Sequence, residues 1–183
     1  MELSVTTSRQ LQHLACHHPT LKTYFGGVKA SDRMPVHPTL DHPRGYIVNL
    51  DRHDQPGSHW IGLWTDGERA EIMDSYALPF WQAYNVPQLK TWLRSHFQTI
   101  EQNTKSLQAV DAESCGIYAL LFLVHKSLGG TMTSFASQFS GHDYVLNDRR
   151  VALWFEQLVE RDVSFHRVPP GGQSNVCQTR VCY

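Results

Sequence analysis

Hydrophobic and polar positions change period several times along this chain, and each change marks an element. Residues 108–128 begin polar, turn small at Ser114-Cys115-Gly116, run apolar from Ile117 to Val124 and close at Gly129-Gly130. That pattern predicts a buried helix with Cys115 on its first turn. Upstream, Tyr46–Leu50 reads as a strand, and His59–Trp64 carries apolar residues on both parities, as a central strand covered on both faces does. Asp66-Gly67 is a strong turn signal, so Ala70–Asp74 folds back as the second strand of a hairpin. Helical periodicity appears in residues 7–16 (Leu11, Leu14), from Pro87 onward (Leu89, Trp92, Leu93, Phe97), in 131–140, and in 147–159 (Val151, Trp154, Phe155, Leu158). Residues 99–102 and 105–110 read as further strands, and 24–44, full of Gly, Pro and Asp, as surface loop. From Val168 the composition shifts to Pro-Pro-Gly-Gly-Gln-Ser-Asn, a linker signature. One domain over residues 1–167 is expected, followed by a linker and tail at 168–183.

Composition narrows the class. At 183 residues and 41% hydrophobic the chain can fill one core. Its longest apolar run, Ile117–Val124, is far too short for a membrane span, and Met1-Glu-Leu-Ser-Val-Thr-Thr-Ser lacks a signal peptide's basic and apolar regions. An intracellular protein without membrane attachment is expected, in nucleus or cytoplasm. The net charge of −1 provides no global field toward nucleic acid. Four cysteines (Cys16, Cys115, Cys177, Cys182) make no disulfide framework in a chain of this length. Eleven histidines are scattered. Cys16-His17-His18 suggests a metal only superficially, because adjacent residues point apart and no second ligand cluster lies at metal spacing. No metal or small-molecule cofactor is expected.

Candidate chemistry centres on Cys115. A helix N-terminus offers unpaired N–H groups and the positive end of the macrodipole, which favour a thiolate. With Asp66-Gly67 as a two-residue turn, His59 falls directly opposite Asp74, where a carboxylate can accept an imidazole N–H and stabilise the protonated ring. Nucleophile, base and orienter are then all present. His125 cannot replace His59, since it lies ten residues along the cysteine's own helix, about 15 Å by helical rise. Gln108 supplies a side-chain amide that, with the Cys115 backbone N–H, can donate to a developing oxyanion.

In order, His59-Trp60, Asp74, Gln108 and Cys115-Gly116 resemble the adenovirus protease (adenain) family and its relatives among virus-like mobile elements, within a clan that includes the SUMO-specific proteases. The six residues between Gln108 and Cys115 are similar to the viral branch, as is the stretch from Tyr24 to Pro35. The resemblance covers about residues 10–160. It implies an α+β fold, a small mixed sheet flanked by helices with a central buried helix carrying the nucleophile. It also implies a cysteine endopeptidase that cleaves viral precursor proteins at Gly-containing sites during virion maturation, acting as a monomer. Cys115 would attack, His59 would shuttle the proton, Asp74 would orient His59, and Gln108 would hold the oxyanion. Trp60 would pack beside the imidazole, and Gly26, Gly27 and Gly116 would support the substrate cleft. The chain departs from the family in having Asp74 where glutamate is common, and its near-neutral charge argues against DNA as a cofactor.

Family members also bind an activating peptide cut from a capsid precursor, disulfide-linked at a position that here is about Phe97. The ending Arg180-Val-Cys182-Tyr183 resembles the end of that peptide, so the tail reads either as a built-in activator or as a loose terminus with incidental cysteines. In the first case Cys177 and Cys182 are free, bonded to each other, or paired with Cys16. Two other readings of the whole chain stand beside the viral protease. One is a deconjugating protease for ubiquitin-like modifiers, which also end in Gly-Gly. The other is an inactive binding protein of the same fold.

Overall fold

A computed structural model describes residues 6–162. The tail readings, with Arg180, Cys182 and Tyr183, and the domain boundary at residue 167 lie outside the described residues.

The described chain is α+β. Helix α1 (Ser8–His17) starts on a capping box, in which the Thr7 side chain accepts from the Gln10 backbone N–H and the Gln10 side chain from that of Thr7. Strands β1 (Phe25–Ala30), β2 (Arg44–Asn49), β3 (Trp60–Asp66) and β4 (Arg69–Met73) follow. After them come helices α2 (Phe80–Ala83) and α3 (Pro87–His96), strand β5 (Thr99–Gln102), and helices α4 (Cys115–Ser127), α5 (Met132–Ala136) and α6 (Tyr144–Arg161). The strands form one sheet in sequence order, β1-β2-β3-β4-β5. Its outer pairs are parallel and its inner pairs antiparallel, so the sheet is mixed as expected.

Alternation along the inner strands serves two cores. Tyr46, Val48, Ile61, Leu63 and Ile72 join Phe80, Leu89, Trp92 and Leu93 on the α3 side. Ile47, Trp64 and Met73 join Leu11, the apolar run of α4, Phe135, Val151 and Phe155 on the other. This two-sided burial is why β3 is apolar on both parities. Helix α4 can lie close on β3 because residue 62 is glycine: a Cβ there would stand 2.9 Å from the Phe122 ring and 3.3 Å from the Ala119 carbonyl oxygen.

Three expectations need correction. Residues 25–30, read as loop, form edge strand β1, whose bulge between Phe25 and Gly27 hides the alternation. Residues 105–110 are not a strand; the Leu107 and Gln108 N–H groups both donate to the Ser75 carbonyl and wrap the segment as a loop. The hairpin register differs too. Asp66 pairs with Arg69 and Gly62 with Met73, so the turn residues are Gly67 and Glu68, with Gly67 at φ +56°. Gly67 takes the first central position, which needs positive φ, and moves the pairing by two residues.

Candidate active site

The shift of two keeps parity, so His59 and Asp74 remain on one face as diagonal neighbours, a separation that long side chains can span. His59 immediately precedes β3 and Asp74 immediately follows β4. Their side chains meet at 2.8 Å, His59 Nε2 to Asp74 Oδ1, and both residues are buried. Asp74 is the centre of a web: Oδ1 also accepts from the Tyr76 N–H at 3.0 Å, and Oδ2 from the Tyr84 hydroxyl at 2.7 Å and the Leu78 N–H at 3.2 Å. Asn103 fixes the backbone on both sides, accepting from the Asp74 N–H at 2.8 Å and donating to its carbonyl at 2.7 Å. Burial works to raise the Asp74 carboxyl, but the His59 and Tyr84 hydrogen bonds and the His59 charge outweigh it and hold the carboxyl below its ordinary range.

Burial likewise works to lower the His59 pKa, while hydrogen bonds to Asp74 and Cys115 more than offset it and push it up to about 9. Because Nε2 faces Asp74, Nδ1 is the nitrogen left for Cys115. The ring is stacked by Tyr76 at 4.9 Å and Tyr84 at 5.9 Å between centroids. Among the described residues these two, and not Trp60, stack on the imidazole. Trp60 instead packs against Gly116, where a Cβ would meet Leu11 at 3.0 Å and Trp60 at 3.4 Å. Gly116 thus lets α1 and Trp60 close over the first turn of α4.

Cys115 is buried at the first position of α4 and carries a free thiol. Asp148 on α6 holds the loop before it, accepting from the Ser114 hydroxyl at 2.7 Å and the Ala109 N–H at 3.0 Å. Burial raises the Asp148 carboxyl, with the Ser114 and Ala109 hydrogen bonds opposing. Gln108 is buried as well. Its Oε1 accepts from the Ser75 hydroxyl at 2.6 Å, while Nε2 donates to the Tyr76 hydroxyl at 3.2 Å and to the Ala112 carbonyl. Both amide hydrogens are therefore engaged within the loop, and oxyanion donation requires one to be exchanged.

Gly26 and Gly27 lie on β1, separated from β3 by β2. Gly26 has a packing reason to be glycine, since a Cβ would stand 2.2 Å from the Tyr46 ring. Tyr76, Tyr84, Asn103 and Asp148 are the site residues that sequence reasoning missed. A tyrosine gives no pattern of its own, but Asp74-Ser-Tyr76 directly after a strand carrying the candidate orienter was a local signal for a structured turn.

A histidine entering the central strand, an aspartate leaving its hairpin partner, and a cysteine opening the buried helix across that strand together make this the cysteine-protease fold of the adenain-like and SUMO-specific proteases. Two solved structures are similar to it. ChlaDub1 from Chlamydia trachomatis superposes with a TM-score of 0.58 at 13% identity, over 92% of this chain and 97% of that one. The ASFV pS273R protease gives a TM-score of 0.49 at 16% identity, over 81% of this chain and 66% of its own length. No protein-family model matches the chain, and no curated protein is similar to it in sequence. No helix among the described residues is long and apolar enough to cross a membrane.

Proposed function

We propose that the chain is a cysteine endopeptidase that cleaves viral precursor proteins of capsid or core at Gly-containing sites during virion maturation. The observation that carries this reading is the buried His59–Asp74 pair at 2.8 Å, with Cys115 at a helix start near enough to the imidazole to raise its pKa. With His59 protonated, the Cys115 thiolate attacks the scissile carbonyl, and the Cys115 N–H and one Gln108 amide hydrogen hold the oxyanion. His59 then gives its proton to the leaving amine and takes one from the water that releases the acyl group. Asp74 keeps Nδ1 aimed at the sulfur and the ring charged; Tyr84 and Asn103 keep Asp74 in place. Its chemistry uses no metal, and it acts as a monomer in host cell and virion, its activator being its own tail or a capsid-derived peptide.

A second reading, removal of ubiquitin-like modifiers, is supported by the likeness to ChlaDub1 along nearly the whole of both chains. Incubating the protein with candidate precursors and with a panel of modifier fusions, then sequencing the new N-termini, separates the two. Cuts only after the Gly-Gly of modifiers would overturn the viral reading. Loss of all cutting in Cys115→Ala is expected in either case, and full cutting there would leave only the binding protein with adventitious protease.

A further inference from the structure

Away from Cys115, folding brings a carboxylate from the far end of the described chain onto two histidines of the first helix. His13 and His17 stand one turn apart on α1 and share a face, and Asp162 is the C-cap of α6. His13 Nε2 lies 2.9 Å from Asp162 Oδ2. One ligand atom from each of His13, His17 and Asp162 lies within 4.8 Å of the other two. The two imidazoles are 4.1 Å apart between centroids and tilted by 31°. His17 Nδ1 donates to the His13 carbonyl at 2.8 Å, which leaves Nε2 to accept a metal. An outer hydrogen bond of that kind is what metal-bound histidines commonly make to fix their tautomer.

We propose that His13, His17 and Asp162 form a binding site for a divalent transition ion, with zinc the best match. Two neutral imidazoles and one carboxylate are a nitrogen-rich donor set, which suits zinc and its neighbours and not calcium or magnesium, which prefer all-oxygen cages. The surrounding field agrees with a cation. Helix α1 ends at His17 and α6 at Arg161, so the negative ends of two helix dipoles converge on the cluster. Ligand atoms around a tetrahedral zinc lie about 3.3 Å apart. The 2.9 Å contact between His13 and Asp162 therefore has to open by only a few tenths of an ångström, within reach of a side chain at a helix end. His13 and Asp162 are largely shielded, at 18% and 13% side-chain exposure, while His17 is exposed and gives the ion an approach.

Such an ion would brace the active site without taking part in its chemistry. Helix α1 presses Leu11 against Gly116, and α6 holds Ser114 and Ala109 through Asp148. A metal shared by the ends of α1 and α6 therefore ties together the two helices that frame the start of the nucleophile helix.

The test uses the full chain carrying Cys115→Ser, which removes the active-site thiol as a rival ligand. Zinc titration by calorimetry should show one equivalent bound, and His17→Gln and Asp162→Asn should each weaken binding at least tenfold, since even loss of an outer-shell partner costs that much. Zinc should raise the unfolding temperature of the parent and not of either variant. Cobalt substituted for zinc should give a d–d spectrum without a sulfur charge-transfer band. His17 is exposed, so His17→Gln keeps the fold if Asp162→Asn does not. Absence of binding, affinity unchanged within twofold in the variants, or a sulfur-to-cobalt band would overturn the proposal.

Discussion

Asp74→Asn isolates the charge that the active site is built around. The substitution keeps the shape of the side chain and an oxygen for Tyr84 and the Leu78 N–H, but replaces the carboxylate oxygen that faces His59 Nε2 at 2.8 Å and the Tyr76 N–H. With its partners in place His59 titrates at about 9 against an ordinary value of 6.5, worth about 3 kcal/mol in favour of the imidazolium. Without the carboxylate, burial is opposed only by Cys115, and the midpoint should fall toward the ordinary 6.5. At pH 8 the protonated share of His59 should fall from about 0.9 toward about 0.03, a loss of up to roughly thirtyfold in the imidazolium. The sign follows from linkage: a histidine raised on folding contributes stability that is full below about pH 6.5 and disappears as pH rises through about 9. Parent and variant should therefore differ most in stability at mildly acidic pH, below about 6.5, and converge as pH rises past about 9. Selectively labelled imidazole NMR, with His59 assigned by its absence in His59→Gln, reads the midpoint directly. A parent midpoint at or below 6.5, or a variant that still titrates near 9, would refute the reasoning.

Gln108→Ala should lower kcat on the order of 10²–10³-fold with little change in KM if its amide serves the oxyanion, and a peptide-cleavage assay within about twofold of the parent would return it to a loop-holding role. Tyr84→Phe removes one donor to Asp74 Oδ2 and should cost about 1 kcal/mol of stability at neutral pH, read by urea unfolding, with an upward shift of the Asp74 carboxyl. Gly62→Ala forces a methyl against Phe122 and the Ala119 backbone and should destabilise by about 1–3 kcal/mol while leaving the His59 midpoint in place.

The elements that carry the chemistry were legible because periodicity and burial agree in them. Helix α4 is apolar on every face since it sits between the sheet and α1, α5 and α6, and β3 is apolar on both parities since helices cover both faces. Strand β1 was not legible: an edge strand with Gly26 and Gly27 at a bulge has no clean alternation and a single β-branched residue, Val28. The register was misplaced because Asp-Gly and Gly-Glu are both acceptable turn pairs, and only the flanking strands choose between them. The His59–Asp74 pairing survived that error because a shift of two preserves the face. Tyr84 and Asp148 were invisible for another reason. Tyr84 reaches back across a short helix and Asp148 comes from a helix far along the chain, and no spacing rule connects residue 84 to residue 74 or residue 148 to residue 114.

The central claim is that Cys115 is a nucleophile activated by His59. A peptidyl electrophile ending in Gly-Gly, incubated with the intact chain and followed by peptide mass spectrometry, tests it most directly. The account predicts a single adduct on Cys115 that forms rapidly in the parent and at least about a hundredfold more slowly in His59→Ala, in line with the usual contribution of a positioned acid–base group. Equal labelling of Cys115 in the two proteins, or an adduct on other cysteines in preference to Cys115, would contradict it.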